Sequence, residues 1–541
     1  MLLKKQATVL KHDTAYGLVC APQGLAHQCP LDCTLANAKE STMTDSNSEK
    51  TTNDEEKKRQ RERVERLLLQ PTHTSTGSIT LDGRPFPYSA SAGFVPIVAH
   101  MSDSHKGEPD AALFVTSYTL QHTGQNPPAS QRPILFAFNG GPGSSSVWLH
   151  LGALGPKRVP INDDGSMPAP PYAVQDNPHS WLEHFDLVFV DPPHTGYSLT
   201  ASDAARKKML SVDGDVEALA ECIRAHLSRA QRWGSPVYLA GESYGTTRGA
   251  ALADKLLDLG IALAGVILVS CAMDLQALEF NGKNDLAYAL FLPGYAAAAQ
   301  YHGRLKGSLA ASGAQARAAA EEFVTQDYLG ALHQAARLTP TQRRRIAKRM
   351  AELTGLNANL VEDHDLRIAD QTFFAELLRD QGRTVGRLEA RATGPMGARK
   401  SRAWEFDPGI EAICGPYTMA SNAYMREQLG VQTDQRYEVL SMDVHNSWNW
   451  LQGESKGNSY TSTSAALARA LRRNPHLRVL VASGYYDLGT PYSASDYSLA
   501  RLDVSPDVMA RVSHHYYDAG HMMYTRSQDL QKLKADLKAW L

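Results

Sequence analysis

The feature that most constrains this chain is a rhythm of short apolar strands, each followed by a helical pattern. Residues 134–138, 187–190, 237–240, 266–269 and 479–482 are almost wholly apolar and rich in β-branched or aromatic side chains. Strands without polar alternation are covered on both faces, the condition of a mostly parallel sheet with helices packed on either side. Between them, Val216, Leu219, Ala220, Ile223 and Leu227 form one apolar helical stripe, with Asp213 and Asp215 near its start to complement the dipole. The alternation predicts an α/β fold.

The rhythm stops over residues 274–458, where alanine-rich and arginine-rich helical stretches such as Ala318-Ala-Ala-Glu-Glu and Arg343-Arg-Arg-Ile take over. Strands on both sides are needed to complete one sheet. The expected division is therefore a core over 74–273, a mainly helical lid insertion over 274–458, and a second core segment over 459–541. Leu530, Leu533, Leu537 and Trp540 give that segment a terminal amphipathic helix. Residues 1–73 show no sustained period and read as a disordered leader passing into a short solvated helix near 57–69.

Charge and cysteines exclude several functions. With 55 Lys+Arg against 57 Asp+Glu the net charge is −2, so no long-range field gathers nucleic acid or acidic lipid. Apolar runs are only strand-sized, which argues against a membrane partner. The chain begins Met-Leu-Leu-Lys-Lys, but Gln6, Lys11, His12 and Asp13 interrupt what a secretory signal would need as an apolar run. Cys20, Cys29 and Cys33 crowd near the start and Cys222, Cys271 and Cys414 are scattered, which is no disulfide framework. These features point to the cytoplasm, with periplasm or secretion as alternatives. No cofactor and no metal are expected. Cys29-x3-Cys33 lacks a second ligand pair, Glu362-Asp-His-Asp365 reads as a charged loop, and the basic run over 343–349 reads as a solvated helix face.

The strongest local signal is Gly241-Glu242-Ser243-Tyr244-Gly245, preceded by a strand and followed by a helical pattern to Leu257. A G-x-S-x-G turn in that context exposes a strained serine, and the small flanking residues let backbones pass closely. A nucleophilic serine needs a base and a carboxylate to hold that base. Asp487 and His521 follow in the order serine, acid, histidine, each just beyond a strand. His514 and His515 are rival bases, but they fall inside a strand. Asn139-Gly-Gly-Pro-Gly-Ser-Ser-Ser146 directly follows strand 134–138 and reads as a backbone anion cradle. Phosphate binding competes for any glycine-rich turn, but no Lys-Ser/Thr follows here.

Asn139-Gly-Gly-Pro-Gly-x-Ser-Ser, Gly241-Glu-Ser-Tyr-Gly, the Asp487 loop and Gly520-His-Met together resemble the serine carboxypeptidases, an α/β-hydrolase family, and suggest a bacterial-type member. The resemblance implies Ser243 as nucleophile, His521 as base and Asp487 as its orienting acid. It implies the N–H groups of Gly141 and Tyr244 as the oxyanion hole. It assigns Asn139, Glu242 and Gly140 to the carboxylate of a peptide substrate's C-terminus. A glutamic acid can donate to that carboxylate only while protonated, which implies a preference for acidic pH. The chain departs from the family at Ser144, where the family has a disulfide cysteine, at Ala137, where it has Trp, and at Ala153, where it has Glu.

An esterase or acyltransferase would use the same triad, and an inactive hydrolase-fold binding protein is the reading from a different class. Substrate preference is expected to lie in the insertion, and the sequence leaves room for a homodimer.

Overall fold

The computed structural model describes residues 45–98, 107–121, 128–398, 403–453 and 459–541. Cys20, Cys29, Cys33 and most of the leader lie outside them.

Nine strands follow one path through the central sheet: β1 (His73–Leu81), β2 (Arg84–Val98), β3 (Pro109–Leu120), β4 (Ile134–Phe138), β5 (Asp186–Val190), β6 (Val237–Glu242), β7 (Leu263–Val269), β8 (Arg478–Gly484) and β9 (Val512–Tyr517). Their order is β1-β2-β3-β5-β4-β6-β7-β8-β9, and the short strand Leu199–Thr200 adds to β3. The first three pairings are antiparallel; the six strands from β5 to β9 run parallel. That mostly parallel sheet, with helices on both faces, is the α/β-hydrolase fold. One apolar cluster lies on each face, with Leu135, Ile267 and Leu480 on one side and Phe136, Val266 and Val479 on the other.

β2 is a strand the sequence hid, because Pro85, Pro87 and Pro96 argue against a strand inside a sheet. The register removes the conflict. Residues 84–87 pair with β1 alone, and Pro96 lies where β2 pairs with β3 alone, so each missing N–H falls where the strand has a single neighbour.

The chain leaves β4, forms β5 on one side of it, and returns as β6 on the other. A crevice opens beyond the carboxyl ends of strands at such a reversal. Gly241-Glu-Ser-Tyr-Gly, the glycine cradle and the Asp487 and His521 loops all leave the sheet at this edge, after β6, β4, β8 and β9.

One expectation needs correction. The N-terminal helix α1 (Asp45–Leu68) is longer than the solvated helix read from sequence, and it is docked: Val64 and Leu67 are buried against Ala112 and Ala201. The insertion is mainly helical but contains an antiparallel pair, Arg383–Val385 with Thr393–Pro395. Its own core includes Phe291, Tyr295, Tyr328 and Phe373, and extends to Tyr486 and Leu488 on either side of Asp487. The basic run of helix Pro340–Thr354 is paired, Arg343 with Asp365, Arg344 with Glu362, Arg345 with Asp327 and Arg349 with Glu352. Glu362 and Asp365 thus have arginine partners, and among the described residues no acidic, histidine or cysteine group is arranged to hold a metal.

Candidate active site

Ser243 sits between β6 and helix α2 (Tyr244–Asp258) with φ +60° and ψ −128°, a strained conformation for any residue other than glycine. Its N–H donates to the Val269 carbonyl at 3.0 Å, tying the turn to the neighbouring strand. The glycines around it are steric requirements. A Cβ on Gly241 would stand 2.1 Å from the Gly245 oxygen, and one on Gly140 would stand 2.4 Å from the Tyr244 nitrogen. The cradle therefore rests directly on the elbow.

His521 Nδ1 and Asp487 Oδ2 are 2.8 Å apart, and both residues are buried. Thr490 Oγ1 donates to Asp487 Oδ2 at 2.7 Å, while the N–H groups of Gly489 and Thr490 donate to Oδ1 at 2.8 and 2.9 Å. With every lone pair directed, the carboxylate has one orientation in which to hold the imidazole. Burial works against a charged His521, but the Asp487 carboxylate and its hydrogen bond outweigh it and raise the imidazole's pKa above its ordinary value. Ser243 and His521 line the same cleft without a hydrogen bond between them; such contacts tighten when substrate occupies a hydrolase site. His514 and His515 are outside this cleft, held against Asp496 and Asp536 respectively.

The N–H groups of Gly141 and Tyr244 have no protein acceptor among the described residues. Gly141 has φ +100° and Gly143 φ +110°, so both turns of the cradle need glycine. The cradle is laced to the insertion by Ser145 N–H to the Val439 carbonyl at 3.1 Å and Ser441 N–H to the Gly143 carbonyl at 2.7 Å. Ser144 accepts the Trp148 indole N–H at 2.6 Å.

Asn139 and Glu242 meet at the cleft floor. Asn139 Nδ2 donates to Glu242 Oε1 at 3.0 Å, and the Asn139 oxygen accepts the Leu149 N–H at 3.0 Å. Burial raises the Glu242 carboxyl to a pKa of about 7. Behind it stands a partner the sequence reading missed: the Tyr524 hydroxyl donates to Glu242 Oε2 at 2.6 Å. Beneath Asn139, Arg248 Nη1 donates to its carbonyl at 2.6 Å, while the same guanidinium grips the buried Asp215 through Nε and Nη2 at 2.6 and 3.1 Å.

The insertion does more than roof this cleft. Residues 387–390 run as a strap between the Asp487 and His521 loops. The Arg387 carbonyl accepts the Leu488 N–H at 2.9 Å, the Leu388 carbonyl accepts the His521 N–H at 2.7 Å, and the Ala390 N–H donates to the Tyr486 carbonyl at 2.9 Å. Glu389 Oε2 accepts the Gly520 N–H at 2.9 Å. A Cβ on Gly520 would stand 2.2 Å from the Leu388 oxygen, so the strap needs glycine beside the histidine. Arg387, Trp404, Ile410, Met442 and His445 of the insertion complete the cleft.

Thr490 and Tyr524 each lie three residues past a motif residue and carried no signal of direction; Arg387 had no local signal at all.

Comparison with known proteins agrees with this geometry. Residues 86–278 match the serine carboxypeptidase family model, a span that holds the cradle and the elbow. Serine carboxypeptidase-like 50 of Arabidopsis thaliana is 30% identical over 28% of this chain and 30% of its own length. Pheromone-processing carboxypeptidase KEX1 of Coprinopsis cinerea is 32% identical over 29% of this chain and 26% of its own length, so each match spans less than a third of the relative. A proline iminopeptidase of Mycobacterium smegmatis superposes with a TM-score of 0.36 at 13% identity, covering 83% of this chain and 97% of that one, and the fold rests on the sheet order rather than on that likeness. No helix among the described residues is long and apolar enough to cross a membrane. The segment that carries the cradle and the elbow is thus similar to the serine carboxypeptidase family.

Proposed function

We propose that the protein is a serine-type carboxypeptidase that removes C-terminal residues from peptides through an acyl-enzyme. The observation that carries this is the Asn139–Glu242 pair, buried at the cleft floor beside Ser243 with the N–H groups of Gly141 and Tyr244 unclaimed. Protonated Glu242 and the Asn139 amide together suit a substrate's terminal carboxylate, with the Gly140 backbone alongside. That leaves the last peptide carbonyl at the serine.

In this reading His521 takes the Ser243 hydroxyl proton as Oγ attacks the carbonyl carbon, and the oxyanion is met by the two N–H groups. The C–N bond breaks as His521 gives that proton to the leaving amine, which departs as a free amino acid and leaves an ester on Ser243. Water, deprotonated by His521, attacks the ester; Ser243 then leaves as the alcohol, taking back the proton. Asp487 keeps the imidazole in the tautomer each step needs.

The reading includes a reducing, cytoplasmic setting. Cys222, Cys271 and Cys414 are free thiols, and Ser144 stands where the family has a disulfide cysteine.

The deciding experiment pairs fluorophosphonate labelling with peptide turnover. Wild-type protein is expected to be labelled, Ser243→Ala not, and a peptide with a free C-terminus to be cleaved in preference to its amide. Equal turnover of acid and amide would favour an esterase or acyltransferase using the same triad. Absence of Ser243-dependent labelling would leave a binding protein.

A further inference from the structure

Arg387 has a side chain that the chemistry above leaves unused. It lines the cleft with Ser243, His521, Glu242 and Trp404, and it is half-buried. Its backbone is committed, the N–H to Asp407 Oδ1 at 2.9 Å and the carbonyl to the Leu488 N–H. Its guanidinium donates no hydrogen bond to any described residue. Arg132, Arg232, Arg248 and Arg391, the buried arginines of ion pairs, each grip a carboxylate.

The head of the side chain is located by two observations. Nη1 lies 2.8 Å from where a Cβ on Gly489 would stand, two residues past Asp487. Its charge also reaches His521 and His445, opposing protonation of each. Asp407 and Asp370 feel that charge too, but their oxygens bond elsewhere. Asp407 accepts the N–H groups of Arg387, Leu388 and Gly409, and Asp370 that of Gln371.

A guanidinium is weakly hydrated, stays charged, and presents a planar fork matched to a carboxylate. Here it stands among apolar walls, including Trp148, Trp404, Ile410 and Met442, where such a pairing is less screened than at an open surface. The terminal carboxylate is already assigned to Asn139 and Glu242. We infer that Arg387 is a specificity residue that selects peptides with aspartate or glutamate beside the scissile bond, its guanidinium pairing with that side-chain carboxylate. This rests on the carboxypeptidase reading and adds to it a substrate class.

The test uses full-length protein and four peptides alike except for Glu or Gln at the last or the penultimate position, each as free acid and as amide. At one of the two positions wild type is expected to favour Glu over Gln by about 10-fold to 100-fold in kcat/KM, the range for one hydrogen-bonded charge. Arg387→Gln should bring that ratio close to one, and Arg387→Glu should reverse it in favour of Gln. Turnover by wild type with no Glu preference, or a ratio that survives Arg387→Gln, would overturn the inference and leave the carboxypeptidase reading standing. Loss of discrimination between acid and amide in Arg387→Gln would overturn it differently, by giving Arg387 the terminal carboxylate. Absence of release from every free-acid peptide would overturn the underlying reading, and this inference with it.

Discussion

On the proposed mechanism, two titrating groups with opposite requirements set the pH behaviour, and they are in electrostatic contact. Glu242, raised by burial to about 7, is protonated below that pH and can donate to a substrate carboxylate; above it, two like charges face each other. His521 works as a base only when neutral, so activity is lost on the acid side of its raised pKa. The expected kcat/KM profile for a free-acid peptide is a bell whose alkaline limb falls near pH 7. Glu242→Gln should remove that limb. It should also move the acid limb to lower pH, because the Glu242 charge helps to keep His521 protonated. Persistence of the alkaline limb would assign it to another group. Tyr524→Phe deletes a hydrogen bond that favours the ionised carboxyl, so the alkaline limb should rise by about one to two pH units. The motif residues were legible because contiguous segments carry Asn139 beside its cradle and Glu242 beside the elbow. Tyr524 was not, since nothing in Met522-Met-Tyr says which way the tyrosine points after the histidine loop.

At the scale of elements, the short parallel strands and the elbow helix could be read because each is specified by its own residues. β2 could not, because the tolerance of its prolines depends on which strands lie beside each stretch. The strap was equally hidden, since its bonds to the Asp487 and His521 loops come mainly from backbone groups far away in the chain. Its glycine contact makes a prediction. Gly520→Ala would push a Cβ against the Leu388 carbonyl and displace either the strap or His521, and a misplacement near 1 Å lowers kcat by about 100-fold. Steady-state kinetics with a circular-dichroism check of folding would measure it. Beneath the cradle, Asp215→Ala would leave Arg248 buried without its carboxylate and should cost about 3–5 kcal/mol in urea unfolding.

For the whole molecule, residues of the insertion and of the sheet domain are joined around the cleft, as where Glu389 and Gly520 meet across 131 residues of chain. A lid that only covered the cleft could be removed to leave a more open enzyme. A lid that supplies the strap cannot. Replacing residues 286–398 by a short linker is therefore expected to slow fluorophosphonate labelling of Ser243 by about 100-fold or more, because the acid–base pair loses its support. Faster labelling would show that the insertion is only a cover. The strap also bears on how such a chain can change over generations. Arg387 and Leu388 hold the Asp487 and His521 loops through their carbonyls, which every amino acid possesses, whereas the side chain at 387 faces the cleft. On the proposed function, mutation at that position can therefore explore new diets while the loops around Ser243 stay assembled, so lineages could diverge in what they digest before they diverge in how they digest it.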